Sequence, residues 1–172
     1  FSTNTVIEDH RRTEFISDWA DVCHDEARHF GLVQDRLSDF GVAYGDLPAH
    51  DGLWQAARAT SHDLLARLAI APMVLEARGL DVTPGMISKL KSAHDPESAA
   101  VLQIIYDDEI GHVATGRKWF NYICESKALK PIDSFHEMVR NYVPGLLKPP
   151  FNEQARDLAG MRREYYIPLS SP

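Results

Sequence analysis

Asp25-Glu26-Ala27-Arg28-His29 and Asp108-Glu109-Ile110-Gly111-His112 are the two stretches on which the reading of this chain turns. Each is an Asp-Glu-x-x-His, and the two Asp-Glu dipeptides of the chain each open one. Composition alone would supply about 0.04 copies of that motif. A Glu and a His three positions apart on a helix share one face, one turn apart, and can bind a common ion or two adjacent ones. Strides of four and three outward from the first motif give Phe15, Trp19, Val22, Glu26, His29, Val33, Leu37 and Phe40, a row apolar but for Glu26 and His29. The second motif gives Leu102, Ile105, Glu109, His112, Gly116, Trp119 and Ile123, and a third row, Leu65, Ala69, Pro72 and Glu76, also ends in a carboxylate. Such rows predict amphipathic helices whose buried faces carry acids and imidazoles. A buried carboxylate with no partner is costly or stays protonated, so the cluster requires something cationic, and a metal supplies that charge. The leading aspartates have a role of their own. A metal-bound imidazole gives its other N–H to a carboxylate that fixes its orientation, so Asp25 and Asp108 are expected to support the histidine of the facing helix.

The periodicity predicts a long helix over residues 14–40 closed by Gly41, and a second over 52–78 capped by Asp51 and ended by Gly79. Pro72 should kink the second helix or force a bulge one turn before Glu76. A short helix over 84–93, opened by Thr83 and Pro84, and a third long helix over 95–125, opened by Asp95-Pro96-Glu97, complete the body. Shorter stretches at 134–142 and 153–160 flank the break Lys148-Pro149-Pro150 and read as covers. No window alternates like a strand. The expectation is a single all-α domain of residues 1–172, three long helices with a helical C-terminal wrap from residue 131.

The 172 residues, 44% hydrophobic and 25% charged, suit one globular domain and exclude disordered, collagenous and disulfide-stapled classes. The longest uncharged apolar run, 68–75, is far short of a membrane span. The first residues carry neither a basic nor an apolar leader segment, and Cys23 and Cys124 fit buried or free thiols of a reducing compartment, so a cytoplasmic location is expected. Net charge is −7, with 9 Lys+Arg against 19 Asp+Glu in residues 1–116 and 9 against 6 thereafter. An acidic body with a mildly basic tail argues against a nucleic-acid partner. His24, His62, His94 and His136 lie off the acid-bearing rows and read as surface or cap residues. Imidazole and carboxylate donors without thiolates suit Fe(II) or Mn(II) rather than structural zinc or an iron–sulfur cluster.

The paired motifs resemble those of the ferritin-like di-iron carboxylate superfamily, whose bundles join two Glu-x-x-His helices to single glutamates from two others. The stretches 46–54, 76–84, and Pro150-Phe151-Asn152 with Ala155-Arg156 resemble more closely a ferritin-like family catalogued as a domain of unknown function. The resemblance implies a four-helix bundle around two iron ions, or manganese as the alternative. It implies that Glu26 and Glu109 bridge the ions, with His29 on one and His112 and Glu76 on the other, which is five of six ligands. Such a family carries an earlier helix whose Glu is the sixth. That helix is missing here, so the chain reads as N-terminally truncated, as completed by a neighbouring chain in a homo-oligomer, or as left with an open groove and an incomplete site. Glu8 and Glu14 are poor substitutes, since Glu8 would lie about 27 Å along the helix from Glu26. Val33 stands where radical-forming relatives carry a tyrosine, which speaks against that role, and Tyr106 reads as a core residue. The implied activity is an oxidase or hydroxylase that activates O2 or peroxide, with an external electron donor and an unassigned small-molecule substrate. The alternatives are a ferroxidase or iron-handling protein, and a non-catalytic helical interaction module with a vestigial metal site.

Overall fold

The computed structural model describes residues 7–145 and 147–170. The leader-free reading of the N-terminus falls on residues 1–6, outside the described residues, as do Leu146 and the last two residues of the wrap. Helix α1 (Asp9–Asp39) carries the first motif. It is followed by α2 (Gly52–Ala59), α3 (Leu64–Ile70), a π-helical segment (Ala71–Glu76) and α4 (Ala77–Ser92). Helix α5 (Pro96–Ser126) carries the second motif, and α6 (Pro131–Tyr142), α7 (Glu153–Leu158), α8 (Arg163–Tyr166) and a closing 3-10 turn (Ile167–Leu169) form the wrap. The protein is all-α. Among the described residues, strand-like pairing is confined to an isolated bridge between Leu147 and Ser170. Helix α5 is central, packing against α1, α3, the π segment, α4, α6 and α7. Its Trp119, Phe120 and Ile123 are fully buried with Leu68, Met73, Leu80, Phe135 and Tyr166.

The long helices at 9–39 and 96–126 match the expected periodicity, and Asp95 caps α5 by accepting from the Ser98 N–H at 3.0 Å. The second expected helix, 52–78, does not form as one piece. It breaks at Thr60–Asp63, where Asp63 caps a new helix through the Leu65 N–H at 2.8 Å. It then continues past Gly79 through Pro84 to Ser92, so the separate short helix over 84–93 is absorbed into α4. Interior proline costs about 3 kcal/mol because it lacks an N–H and strands the carbonyl four residues back. Here that carbonyl belongs to Leu80, and Asn152 of the wrap donates its side-chain amide to it at 3.1 Å. The bulge expected at Pro72 is the π segment itself.

The wrap is held to α4 by a buried ion pair. Arg156 Nε and Nη2 donate to Asp81 Oδ1 and Oδ2 at 2.8 and 2.7 Å, and the Asn152 N–H donates to Asp81 Oδ1 at 2.9 Å. The expected buried row of α1 is buried only in part. Val22 and His29 are covered, whereas Val33 and Phe40 are 41% and 60% exposed and form, with Leu37, one wall of an open cleft whose other wall is Leu90, Val101 and Leu102.

The Pro72 ring lies on Gly116 of α5, so that a Cβ at Gly116 would overlap the ring. Neither a pyrrolidine nor a packed helix backbone yields easily. Gly116→Ala should therefore lower unfolding free energy by about 1–3 kcal/mol in chemical denaturation, the usual cost of overpacking; an unchanged midpoint would contradict this contact.

Candidate metal centre

Helices α1 and α5 run antiparallel, a register set by contacts along their length. Asp18 accepts from Trp119 Nε1 at 2.8 Å, Asp25 faces His112, His29 faces Asp108, and Arg36 reaches Ser98 at 2.8 Å. In that register the two Glu-x-x-His faces meet. Glu26 Oε1 lies 3.4 Å from His29 Nδ1 and 3.2 Å from His112 Nδ1. Glu109 Oε1 lies 3.9 Å from His29 Nδ1, and its Oε2 lies 3.5 Å from His112 Nδ1. Ligand atoms of Glu26, Glu109 and His112 all fall within 4.8 Å of one another. Glu76, at the end of the π segment, is coupled electrostatically to Glu109, His112 and Glu26. Glu26, Glu109 and His112 form the tight group, His29 lies beside it, and Glu76 is near enough to feel the charges of Glu109, His112 and Glu26.

Two aspartates close the arrangement from behind. His29 Nε2 is 2.9 Å from Asp108 Oδ2 and His112 Nε2 is 3.3 Å from Asp25 Oδ2, each aspartate serving the histidine of the opposite helix. A neutral imidazole that gives its Nε2 proton to such a carboxylate presents a bare Nδ1 lone pair on its other side. Both Nδ1 atoms are buried and lack a hydrogen-bond partner, as do Glu76 Oε2 and Glu109 Oε2. Four lone-pair donors buried without partners and aimed at one another are what a cation would satisfy. Arg28, inside the first motif but not singled out in the sequence, donates to Asp25 Oδ1 at 3.0 Å and Asp108 Oδ2 at 2.6 Å. The signal was its spacing, three residues after Asp25 on one helix face.

The electrostatics show the same demand for positive charge. Burial first, then the Glu109 and Glu26 charges, push the Glu76 carboxyl up to about 8, with His112 opposing them. Burial disfavours the His112 imidazolium, but contacts with Glu109, Glu26 and Asp25 outweigh it and raise that group to about 10. Close approach of His112, whose Nδ1 lies 3.2 Å from its Oε1, keeps Glu26 below its ordinary range against the effect of burial. Glu26 is half exposed while the histidines are buried, so the cluster is open on the α1 side. His24, His62 and His94 are exposed and His136 half-buried, none in the cluster. Cys23 is exposed and Cys124 buried, both as free thiols. Among the described residues no helix is long and apolar enough to cross a membrane.

Over residues 5–167 the chain matches the family described as Protein of unknown function (DUF455), and it belongs to that family. It is also similar to a Haemophilus influenzae protein described as an uncharacterized protein, at 41% identity over 146 residues, 85% of this chain and 51% of that protein. The chain thus spans about half the length of the curated relative it matches. No solved structure matches it.

Both raised groups bias stability in one direction. With Glu76 near 8 against an ordinary 4.5, the folded state holds a proton that the unfolded state has released, so stability falls as pH rises between those values. His112, at about 10 against 6.5, contributes stability present below 6.5 and lost toward 10. The thermal midpoint of EDTA-treated protein should fall from about pH 5 to 9, and Glu76→Gln should flatten the limb below about pH 8. A midpoint that rises over that interval would contradict these environments.

Proposed function

We propose that this chain is a ferritin-like dinuclear metal protein, an O2- or peroxide-activating oxidase or hydroxylase. The observation that carries the reading is the pair of crossed Asp–His contacts that leaves both Nδ1 atoms bare and aimed at shared glutamates. Glu26, His29, Glu76, Glu109 and His112 would hold two divalent ions, Fe(II) first and Mn(II) as the alternative, since nitrogen and carboxylate donors suit both. Bound Fe(II) would supply the electrons for reducing O2 or peroxide at an open position, with an external donor restoring them and a small molecule as the oxidised substrate.

The rest of the reading concerns what the chain's own groups do. Asp25 and Asp108 hold the imidazole protons at Nε2, and Arg28 holds both aspartates in place. Glu76 sits where burial favours its protonated form, so it can keep a proton inside the bundle and release it when positive charge arrives beside it. The half-exposed Glu26, next to exposed Phe30 and Val33 on α1, marks the side where a further helix with a sixth ligand would complete a four-helix bundle.

A second reading, a ferroxidase or iron-handling protein, is favoured by one observation. A cleft of about 350 Å3 lined by Asp18, Asp21, Asp25, Asp107, Asp108 and His112 opens beside the cluster, and its five aspartates, only partly balanced by Arg28 and Lys118, would concentrate cations. Repeated Fe(II) turnover without an organic product would select that reading.

Anaerobic titration with Fe(II) or Mn(II), read by calorimetry and elemental analysis, should reach two ions per chain. Glu26→Ala and Glu109→Ala should abolish binding, and Asp25→Asn or Asp108→Asn should weaken it by about 10–100-fold. Retention of under about a tenth of an equivalent after reconstitution would favour a non-catalytic helical module, and a Glu26→Ala protein with a full metal complement would refute the ligand assignment.

A further inference from the structure

A separate cavity of about 230 Å3 lies between the π segment, the start of α4 and the C-terminal wrap. None of the five proposed metal ligands lines it, although its wall includes Leu75, the neighbour of Glu76. The stretches 76–84 and 150–156, which the metal centre uses only through Glu76, supply its Arg78, Asp81, Phe151 and Arg156. Most of the remaining wall is apolar, with Met73, Val74, Val143 and Leu147.

Charge is distributed unevenly over this wall. Arg156, 3% exposed, clamps Asp81 in the two-point contact already described, so that those charges cancel. Its guanidinium carbon sits 4.6 Å from the Tyr166 ring centre and 5.2 Å from that of Phe151, and its Nη1 is buried without a hydrogen-bond partner. Arg78 and the exposed Lys148 are then left as two positive charges with no second carboxylate in the lining. Arg78 Nη1 donates to the carbonyls of Lys148 at 2.7 Å and Pro150 at 3.1 Å and lies 3.6 Å from Asp81 Oδ2. Among the described residues its Nε and Nη2 have no hydrogen-bond partner. Guanidinium forks with free donors suit carboxylate and phosphate oxygens.

We infer that this cavity binds a small amphipathic anion, its carboxylate or phosphate head at Arg78 and Lys148 and a short apolar chain against Met73, Val143, Leu147 and Phe151. The volume lies below the roughly 300–1,000 Å3 of sites for drug-sized ligands, which fits a short chain and excludes a dinucleotide or flavin. An apolar wall alone would take neutral molecules equally well; the excess of Arg78, Lys148 and Arg156 over the single carboxylate of Asp81 selects the anion. The inference does not rest on the metal reading, and its test uses metal-free protein so that the two can fail separately.

The full chain, treated with EDTA, is titrated calorimetrically with octanoate, octyl phosphate, 1-octanol and inorganic phosphate. One-site saturable binding of octanoate or octyl phosphate is expected, at least about tenfold tighter than octanol or inorganic phosphate. The tighter of the two amphiphiles identifies the head group. Lys148→Glu changes an exposed side chain and should weaken amphiphile binding by about tenfold or more, and Val143→Phe, checked for folding by circular dichroism, should do so by filling the cavity. Octanol or inorganic phosphate binding as tightly as the amphiphiles, undiminished binding by Lys148→Glu or by folded Val143→Phe, or no saturable binding of either amphiphile would each overturn the inference.

Discussion

Glu26, Glu76 and Glu109 can share one interface between packed helices only if positive charge sits among them. Without a metal that charge has to come from protons. His112 is held protonated to about 10 by neighbouring carboxylates, and Glu76 to about 8 by burial first and then by neighbouring carboxylates. These are costly conditions for a helix interface, and hydrophobic side chains at the same positions would pack without them. The Nδ1 atoms of His29 and His112 sharpen the point, because they stand 3.2–3.9 Å from glutamate oxygens without a satisfied hydrogen bond, which a well-formed structural ion-pair network would not leave. The proposed dinuclear centre resolves both features at once, replacing protons with divalent charge and giving each bare nitrogen a partner.

The surrounding fold keeps that interface in register. Contacts from Asp18–Trp119 at one end to Arg36–Ser98 at the other fix α1 against α5, and within that frame the two motifs face each other. Glu76 arrives from a different direction, on a π turn whose Pro72 rests on Gly116 one turn beyond His112. π turns of this kind recur at functional sites, where the extra residue aims one side chain away from the regular helical course. The wrap supports the same frame from outside: Asn152 donates to the Leu80 carbonyl that Pro84 strands, and Arg156 clamps Asp81, the next residue.

The all-α class, α1, α5 and the meeting of the two Glu-x-x-His faces were legible in the sequence, because helical period and ligand spacing are both local properties. The crossing of Asp25 to His112 and Asp108 to His29 followed from the motif being doubled on two helices that had to meet. The boundaries within 52–92 were not legible. Thr60–Asp63 interrupts the helix through a side-chain cap, a weak local signal, and Pro84 reads as a helix start until its lost hydrogen bond is seen to be supplied by Asn152, 68 positions later. Gly79 looked like a stop but takes a helical conformation within α4. The exposure of Val33 and Phe40 was hidden for a related reason: an apolar row announces a face and cannot say how closely its partner packs. The role of Arg28 was hidden because its second carboxylate, Asp108, lies on another helix.

The family and the Haemophilus influenzae relative leave chemistry to be argued from the site. The centre itself decides between a di-iron or di-manganese protein and a helical scaffold with displaced charges. Crystals of the protein soaked anaerobically in Mn(II), with anomalous diffraction recorded at the manganese edge, test the point most directly. Two anomalous peaks among Glu26, His29, Glu76, Glu109 and His112, with Asp25 and Asp108 outside the coordination sphere, are the predicted result. A map with no peak there, or with manganese held only by the outer aspartates of the adjoining cleft, would contradict it.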